Sequence, residues 1–394
     1  MTPLALAAGI LAGGCETLGY YAQSARGHLH LLAARQPFDV VAQDASAPQA
    51  VRERIAYSAA ARAFAVRALA LPDNGSYRSY ADIGRRYVAW SVVATPELSL
   101  SPRTWCFPVA GCVAYRGYFE EAEALRFAES LRAAGNDVYV AGVAAYSTLG
   151  WFDDPLPSPV IRWPEADLAG LIFHELAHQR LYVRDDTAFN EAFAVTVEQE
   201  GVARWLAERA DPLAFARYQE SQRRRGEFLH LVFDVRGRLA ELYGSGAAPA
   251  EMRSRKAALF QEFLDRCRAL VAAIAEEPRY RSWCEAPASN ARIVAVTTYH
   301  ELVPGFRALL DAQGGDLAAF YQAAEALAEH PPAERRRVLE EVRLGSARRG
   351  PAGAAPAGPR LPGRDERLDN ALAQGQDGSP QVSQVPAAGP ERRP

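Results

Sequence analysis

Apolar positions recur at helical spacing along much of this chain, and the interruptions between the runs divide it into elements. Between residues 47 and 70, Val51, Ile55, Ala59, Ala63, Val66 and Leu69 share one face and predict an amphipathic helix. The β-branched and aromatic content of Tyr87 to Val93 and of Val109 to Tyr118 predicts strands. A helix is expected from Glu120 to Ala134, stopped by Gly135 and Asn136, and Val138 to Ala145 reads as a further strand. Leu168, Leu171, Ile172 and Leu176 mark a helix that starts after Trp163, with Pro164 suited to its first turn. The polar stretch Val183-Arg184-Asp185-Asp186-Thr187 then reverses the chain, and a second, antiparallel helix begins near Thr187 or Ala188. Beyond Gly201 the pattern is mostly helical: Pro212 to Leu242 and Glu251 to Ala273, joined by Gly244 to Pro249, then Asn290 to Val303 and Leu317 to Ala328. From Ser346 the chain is rich in Pro, Gly, Ala and Arg without apolar period, so 346–394 is expected to be a disordered tail. The expected class is α+β, predominantly α, with a small mixed sheet before about residue 207 and a helical region after it.

The candidate chemistry lies on the two central helices. In Phe173-His174-Glu175-Leu176-Ala177-His178-Gln179 the histidines stand at i and i+4, so both imidazoles can reach one metal ion, while Glu175 projects about 100° away and suits a general base. A catalytic zinc site keeps three protein ligands and one open position, and Glu191 in Phe189-Asn190-Glu191-Ala192-Phe193-Ala194 is the candidate third ligand. Glu198, two turns on, is a candidate to accept a hydrogen bond from a ligand histidine, with Asn190 supporting the ligands from the same helix.

Charge narrows the partners. A net charge of −3 offers no nucleic-acid surface, and Lys256 is the only lysine. Leu4 to Ala12 is a short apolar run followed by Gly13, Gly14 and Cys15, the pattern of a secretory leader over 1–14 cut before a lipid-modified cysteine. That run is too short to span a bilayer, so Cys15 would hold the protein to a bacterial envelope membrane, facing the periplasm, with the outer membrane favoured. Cys106, Cys112, Cys267 and Cys284 remain, an even number in a compartment that permits disulfides. Local pairing, Cys106 to Cys112 and Cys267 to Cys284, is the simplest of the three possibilities, with free buried thiols as the alternative.

The HELAHQ and NEAFA pair resembles the gluzincin metallopeptidases, although the gap between second histidine and glutamate is shorter here. It is more closely similar to a bacterial family of zinc aminopeptidase lipoproteins. Leu71-Pro72-Asp73-Asn74-Gly75-Ser76-Tyr77, Thr104 to Cys112, Tyr146 to Pro155 and Ala295-Val296-Thr297-Thr298-Tyr299-His300 carry the same likeness, which runs from about residue 15 to about 330. The resemblance implies a zincin-like domain over 15–345, bound Zn2+ and a peptide substrate. It also implies a strand, Val138 to Ala145, forming the edge of the sheet over the cleft, where an extended peptide could add its own backbone hydrogen bonds. Tyr299 or His300 would stabilise the oxyanion. Asp153 or Asp154, in a segment expected to line the substrate channel, would hold a substrate's α-ammonium group, unless Asp-Asp-Pro serves only as a turn. Three functions stay open: an aminopeptidase, an endopeptidase of the envelope, and a non-catalytic lipoprotein that retains the fold.

Overall fold

The structure, a computed structural model, describes residues 3–108, 110–145, 147–272 and 278–349, with the side chains of 3–17, 278, 279, 347 and 349 outside that description. In chain order the elements begin with α1 (Pro3–Ala33), β1 (Arg35–Pro37), α2 (Phe38–Gln43), α3 (Gln49–Leu69), β2 (Ser79–Ala81) and β3 (Ala89–Pro96). Next come β4 (Trp105–Phe107), β5 (Gly111–Val113), β6 (Arg116–Tyr118), α4 (Glu121–Ala133), β7 (Asn136–Val143) and β8 (Leu156–Pro157). The central pair is α5 (Glu165–Arg180) and α6 (Thr187–Glu208). The helical region continues with α7 (Pro212–Gly244), α8 (Pro249–Ala272), α9 (Pro278–Glu285), α10 (Asn290–His300), α11 (Val303–Ala312), α12 (Leu317–Ala328) and α13 (Pro332–Arg349).

The strands form small sheets, as α+β with predominant α requires. β6, β3 and β7 make an antiparallel sheet with β3 in the centre. β1, β2 and β8 make a second, in which β2 pairs antiparallel with β1 and parallel with β8. β4 and β5 form a hairpin closed by the Cys106–Cys112 disulfide; the second bridge joins Cys267 on α8 to Cys284 on α9. The local pairing is therefore the one formed.

α5 is the centre of the molecule. Every residue from Leu168 to His178 is buried, so this helix has no solvent face over three turns, which is the pattern of a helix sheathed on all sides. α3 and α6 flank it: Phe64 meets Phe173 at 5.9 Å and Trp205 at 5.1 Å, and Trp205 Nε1 donates to the Tyr57 hydroxyl at 2.8 Å. On its other side α6 packs on α11 and α12, with Phe193 stacked on Phe320 at 5.7 Å and Phe189 edge-on to Phe306 at 4.9 Å. Lys256 on α8 reaches the sheet, donating to Asp137 Oδ2 at 2.8 Å and to the Glu97 carbonyl at 2.7 Å.

Several expectations need correction. On α3 the buried face runs through Ile55, Tyr57, Ser58, Ala61, Arg62, Phe64, Ala65 and Leu69, while Ala59 and Ala63 are exposed, because the larger aromatics turn the helix toward α5 and α6. The single strand expected to Tyr118 is two short ones, β5 and β6. The helix expected from Asn290 ends at His300, and Pro304 sits in the first turn of α11, where its missing N–H costs nothing. The tail begins later than expected, since Ser346 to Arg349 are still helical; residues 350–394 and the Cys15 side chain lie outside the described residues. Among the described residues no helix is long and apolar enough to cross a membrane.

Candidate metal centre and active site

The antiparallel return of α6 along α5 brings Glu191 to the two histidines. His174 Nε2 and His178 Nε2 are 3.1 Å apart, and Glu191 Oε2 lies 3.4 Å from the first and 3.5 Å from the second. A tetrahedral ion with bonds of about 2.0–2.1 Å holds its ligand atoms about 3.3–3.4 Å apart, so this triangle has the dimensions of three corners of a zinc site. His174, His178 and Glu191 are each at most 2% exposed. Among the described residues neither Glu191 Oε2 nor Glu175 Oε2, both buried, has a hydrogen-bond partner. A carboxylate oxygen buried between two imidazole nitrogens and left unpaired is costly unless a cation meets it. The donor set therefore fits a divalent metal such as zinc.

Electrostatics tie the ligands together. Burial works against a charged His174, but the adjoining carboxylates of Glu191 and Glu198 outweigh it and hold the ring up at about 10. Burial lowers His178. Burial also opposes ionisation of Glu191, and is overcome by His178 and His174, so its carboxyl stays below the ordinary range. Glu198 accepts from His174 Nδ1 at 3.1 Å and lies 3.8 Å from Arg225 on α7. Asn190 instead clamps the turn between the helices: its Oδ1 accepts from Val183 N and its Nδ2 donates to Val183 O, both at 2.7 Å.

Glu175 stands beside this cluster, 1% exposed, and burial pushes its carboxyl up to about 8. Behind it, stretches distant in sequence form one wall. The Ser147 hydroxyl adjoins the carboxyls of Glu175 and Asp154 and works to lower both. Asp154, fully buried, accepts from Thr148 N at 2.8 Å and Thr148 Oγ1 at 3.0 Å, while its Oδ1 has no partner. Its carbonyl accepts from Tyr77 N at 2.7 Å, and the Tyr77 side chain adjoins Glu175 and Asp154. Asn74 Nδ2 donates to Gln179 Oε1 at 2.6 Å, closing the wall onto α5. Arg62, 5% exposed, holds this loop from α3 through the Ser76 carbonyl at 2.8 Å and Asp73 at 3.1 Å. Asp153 is exposed and packs directly on Gly75, where any Cβ would collide with its carboxyl group.

The disulfide hairpin docks on the turn between the metal helices. Cys112 N donates to Asp185 Oδ1 at 2.5 Å, and Tyr182 OH to the Ala110 carbonyl at 3.0 Å. Gly111 permits this approach: its φ is +73° and a Cβ there would strike Asp185 and Arg184.

A cavity of about 190 Å³ opens beside His174, with Tyr299 and His300 of α10 in its wall. Burial and the Arg225 charge lower His300 to about 3, so its ring stays neutral. The segment 147–154 does not line this cavity, and Tyr146 lies outside the described residues. β7 is an edge strand, pairing only with β3 among the described residues, and turns Tyr139 and Ala141 into the cavity. Sequence reasoning missed Tyr115. Its side chain is 5% exposed, lines the same cavity, and adjoins Tyr299, Tyr182, Glu191 and Glu175, while burial pushes its phenol well up. Its place three residues after Cys112 was the available signal.

Two antiparallel helices bring together a buried His–His–Glu group that could hold a metal ion, with a second carboxylate, that of Glu175, beside it. The chain belongs to the putative aminopeptidase family, whose model matches residues 19–339. Among curated proteins and among solved structures, none matches it.

Proposed function

We propose that this protein is a zinc-dependent aminopeptidase. The observation that carries this reading is the 3.1–3.5 Å triangle of His174, His178 and Glu191 with Glu175 adjoining it, in a chain of this family. Zinc held there would polarise a carbonyl and lower the pKa of bound water to about 7. Glu175 Oε2, buried and unpaired, takes a proton from the attacking water and delivers it to the leaving amine. Tyr299, the neutral His300 ring or Tyr115 donates to the developing oxyanion, a contribution typically worth about 2.7–4 kcal/mol. Asp154, buried and with Oδ1 unpartnered, is better suited than the exposed Asp153 to meet a substrate's α-ammonium group. Attachment to an envelope membrane through Cys15 belongs to the same proposal, supported by two disulfides that suit an oxidising compartment.

The test is Glu175→Gln against a pair of peptides that differ only in a free or acetylated amino terminus. The variant should retain zinc and lose turnover by about 10²–10⁴-fold. Wild type should cleave only the free-amino peptide. Equal cleavage of both would favour an endopeptidase, and undiminished Glu175→Gln activity would remove the mechanism.

A further inference from the structure

We infer that the cavity beside His174 is the side-chain pocket for the substrate residue next to the scissile bond, and that it selects a bulky aromatic side chain; this rests on the peptidase reading above. Protein interiors are close-packed, and voids beyond a few waters are rare. At about 190 Å³ this one exceeds the space needed for a single water more than tenfold. Its walls are whole faces of elements, not gaps between them. Asp167, Leu171 and His174 are successive positions on one side of α5, and the cross-strand pairs Ser91–Ala141 and Val93–Tyr139 present one face of the sheet. Phe228 and Trp283, edge to face at 4.8 Å, add aromatic surface. His174 is the member of the cluster in the wall, with Tyr115 and Tyr299 beside it, so an occupant of the cavity lies against one side of the cluster.

Two polar atoms in the wall point to an occupant. Ser91 is 1% exposed, and among the described residues neither its Oγ nor Trp283 Nε1 has a hydrogen-bond partner. Buried donors left unmet are unfavourable, and an acceptor at the end of an aromatic side chain, such as the hydroxyl oxygen of tyrosine, would satisfy one of them. The charges in the wall already face one another: Arg225 lies 3.8 Å from Glu198, with Asp167 adjoining it. An acidic or basic side chain would therefore be desolvated without a dedicated partner, whereas an aromatic ring gains its full burial.

The test titrates the zinc-loaded full chain with L-phenylalaninol and L-alaninol, amines that carry no scissile bond. Phenylalaninol should bind about 10- to 100-fold more tightly. Ala141→Phe, which fills the pocket from β7, should abolish the difference. Leu229→Ala, which enlarges it, should move the preference toward L-tryptophanol, and this second variant guards against a folding defect in the first. Equal binding of the two amines, or selectivity unchanged in both variants, overturns the pocket. Discrimination among amines with no peptide cleaved would sink the peptidase reading and leave an aromatic-binding pocket; cleavage indifferent to phenylalanine, alanine or glycine would do the reverse.

Discussion

The position of Glu191 depends on how the start of α6 is held, and a buried ion pair holds it. Arg335 on α13 reaches Asp186 Oδ2 through its Nε at 3.0 Å and its second amino group at 2.8 Å, with both side chains 6% exposed. Asp186 is also the N-cap of α6, accepting from Phe189 N at 3.2 Å, and the guanidinium lies over the Phe189 ring. Arg335→Met preserves length and apolar contact but leaves a buried carboxylate without its cation. Removing one member of such a pair costs about 3–5 kcal/mol, and the carbonyls of Ala328 and His330 lose their donor as well. Asp186→Thr keeps an oxygen for the cap and removes the charge. In that background Arg335→Met should cost at least about 2 kcal/mol less, the signature of direct coupling. Urea unfolding of the four proteins measures this cycle. A single-variant cost below about 1 kcal/mol, or equal costs in both backgrounds, would show that this pair does not hold the start of α6.

Two further perturbations address the surroundings of the metal cluster. Glu198→Ala removes the carboxylate on His174 Nδ1 and should weaken zinc affinity about 10–100-fold in a chelator competition. Burial raises Asp154 from 3.8 to about 7, so the folded state binds more protons than the unfolded state between those values. Its contribution to stability is thus full below about pH 4 and declines as pH rises through 7, by up to about 4 kcal/mol. Asp154→Asn should flatten that decline in metal-free protein and exceed wild type in stability at pH 8; a parallel pH profile would count against it.

The legible parts of the sequence were those governed by local periodicity. The spacing of His174, Glu175 and His178 on a strongly apolar run, and the polar turn before Glu191, were enough to place α5, α6 and the cluster between them. What the sequence did not reveal depends on tertiary partners. Ala59 and Ala63 fit a helical stripe, but the burial of Tyr57 and Phe64 against α5 and α6 decides which face of α3 turns inward. Asp153 and Asp154 are adjacent and chemically alike; only the packing of Thr148 and Gly75 sends one inward and the other to the surface. Tyr115 escaped notice because a lone tyrosine between short strands carries no periodic signal. In the sequence, stretch 71–77 carries no assigned role, 104–112 only its cysteine pairing, and 295–300 the oxyanion candidates Tyr299 and His300. In the folded chain they become the wall behind Glu175, the hairpin on the interhelix turn, and the far side of the cavity.

In the proposed mechanism His174, His178 and Glu191 together hold zinc, and elemental analysis of the form beginning after Cys15 checks this without relying on turnover. About one zinc per chain is expected in wild type and in Glu175→Gln, with the metal lost in Glu191→Ala. Wild-type protein that lacks zinc and cannot be reconstituted with it, or a Glu191→Ala variant that keeps its full complement, would contradict the account.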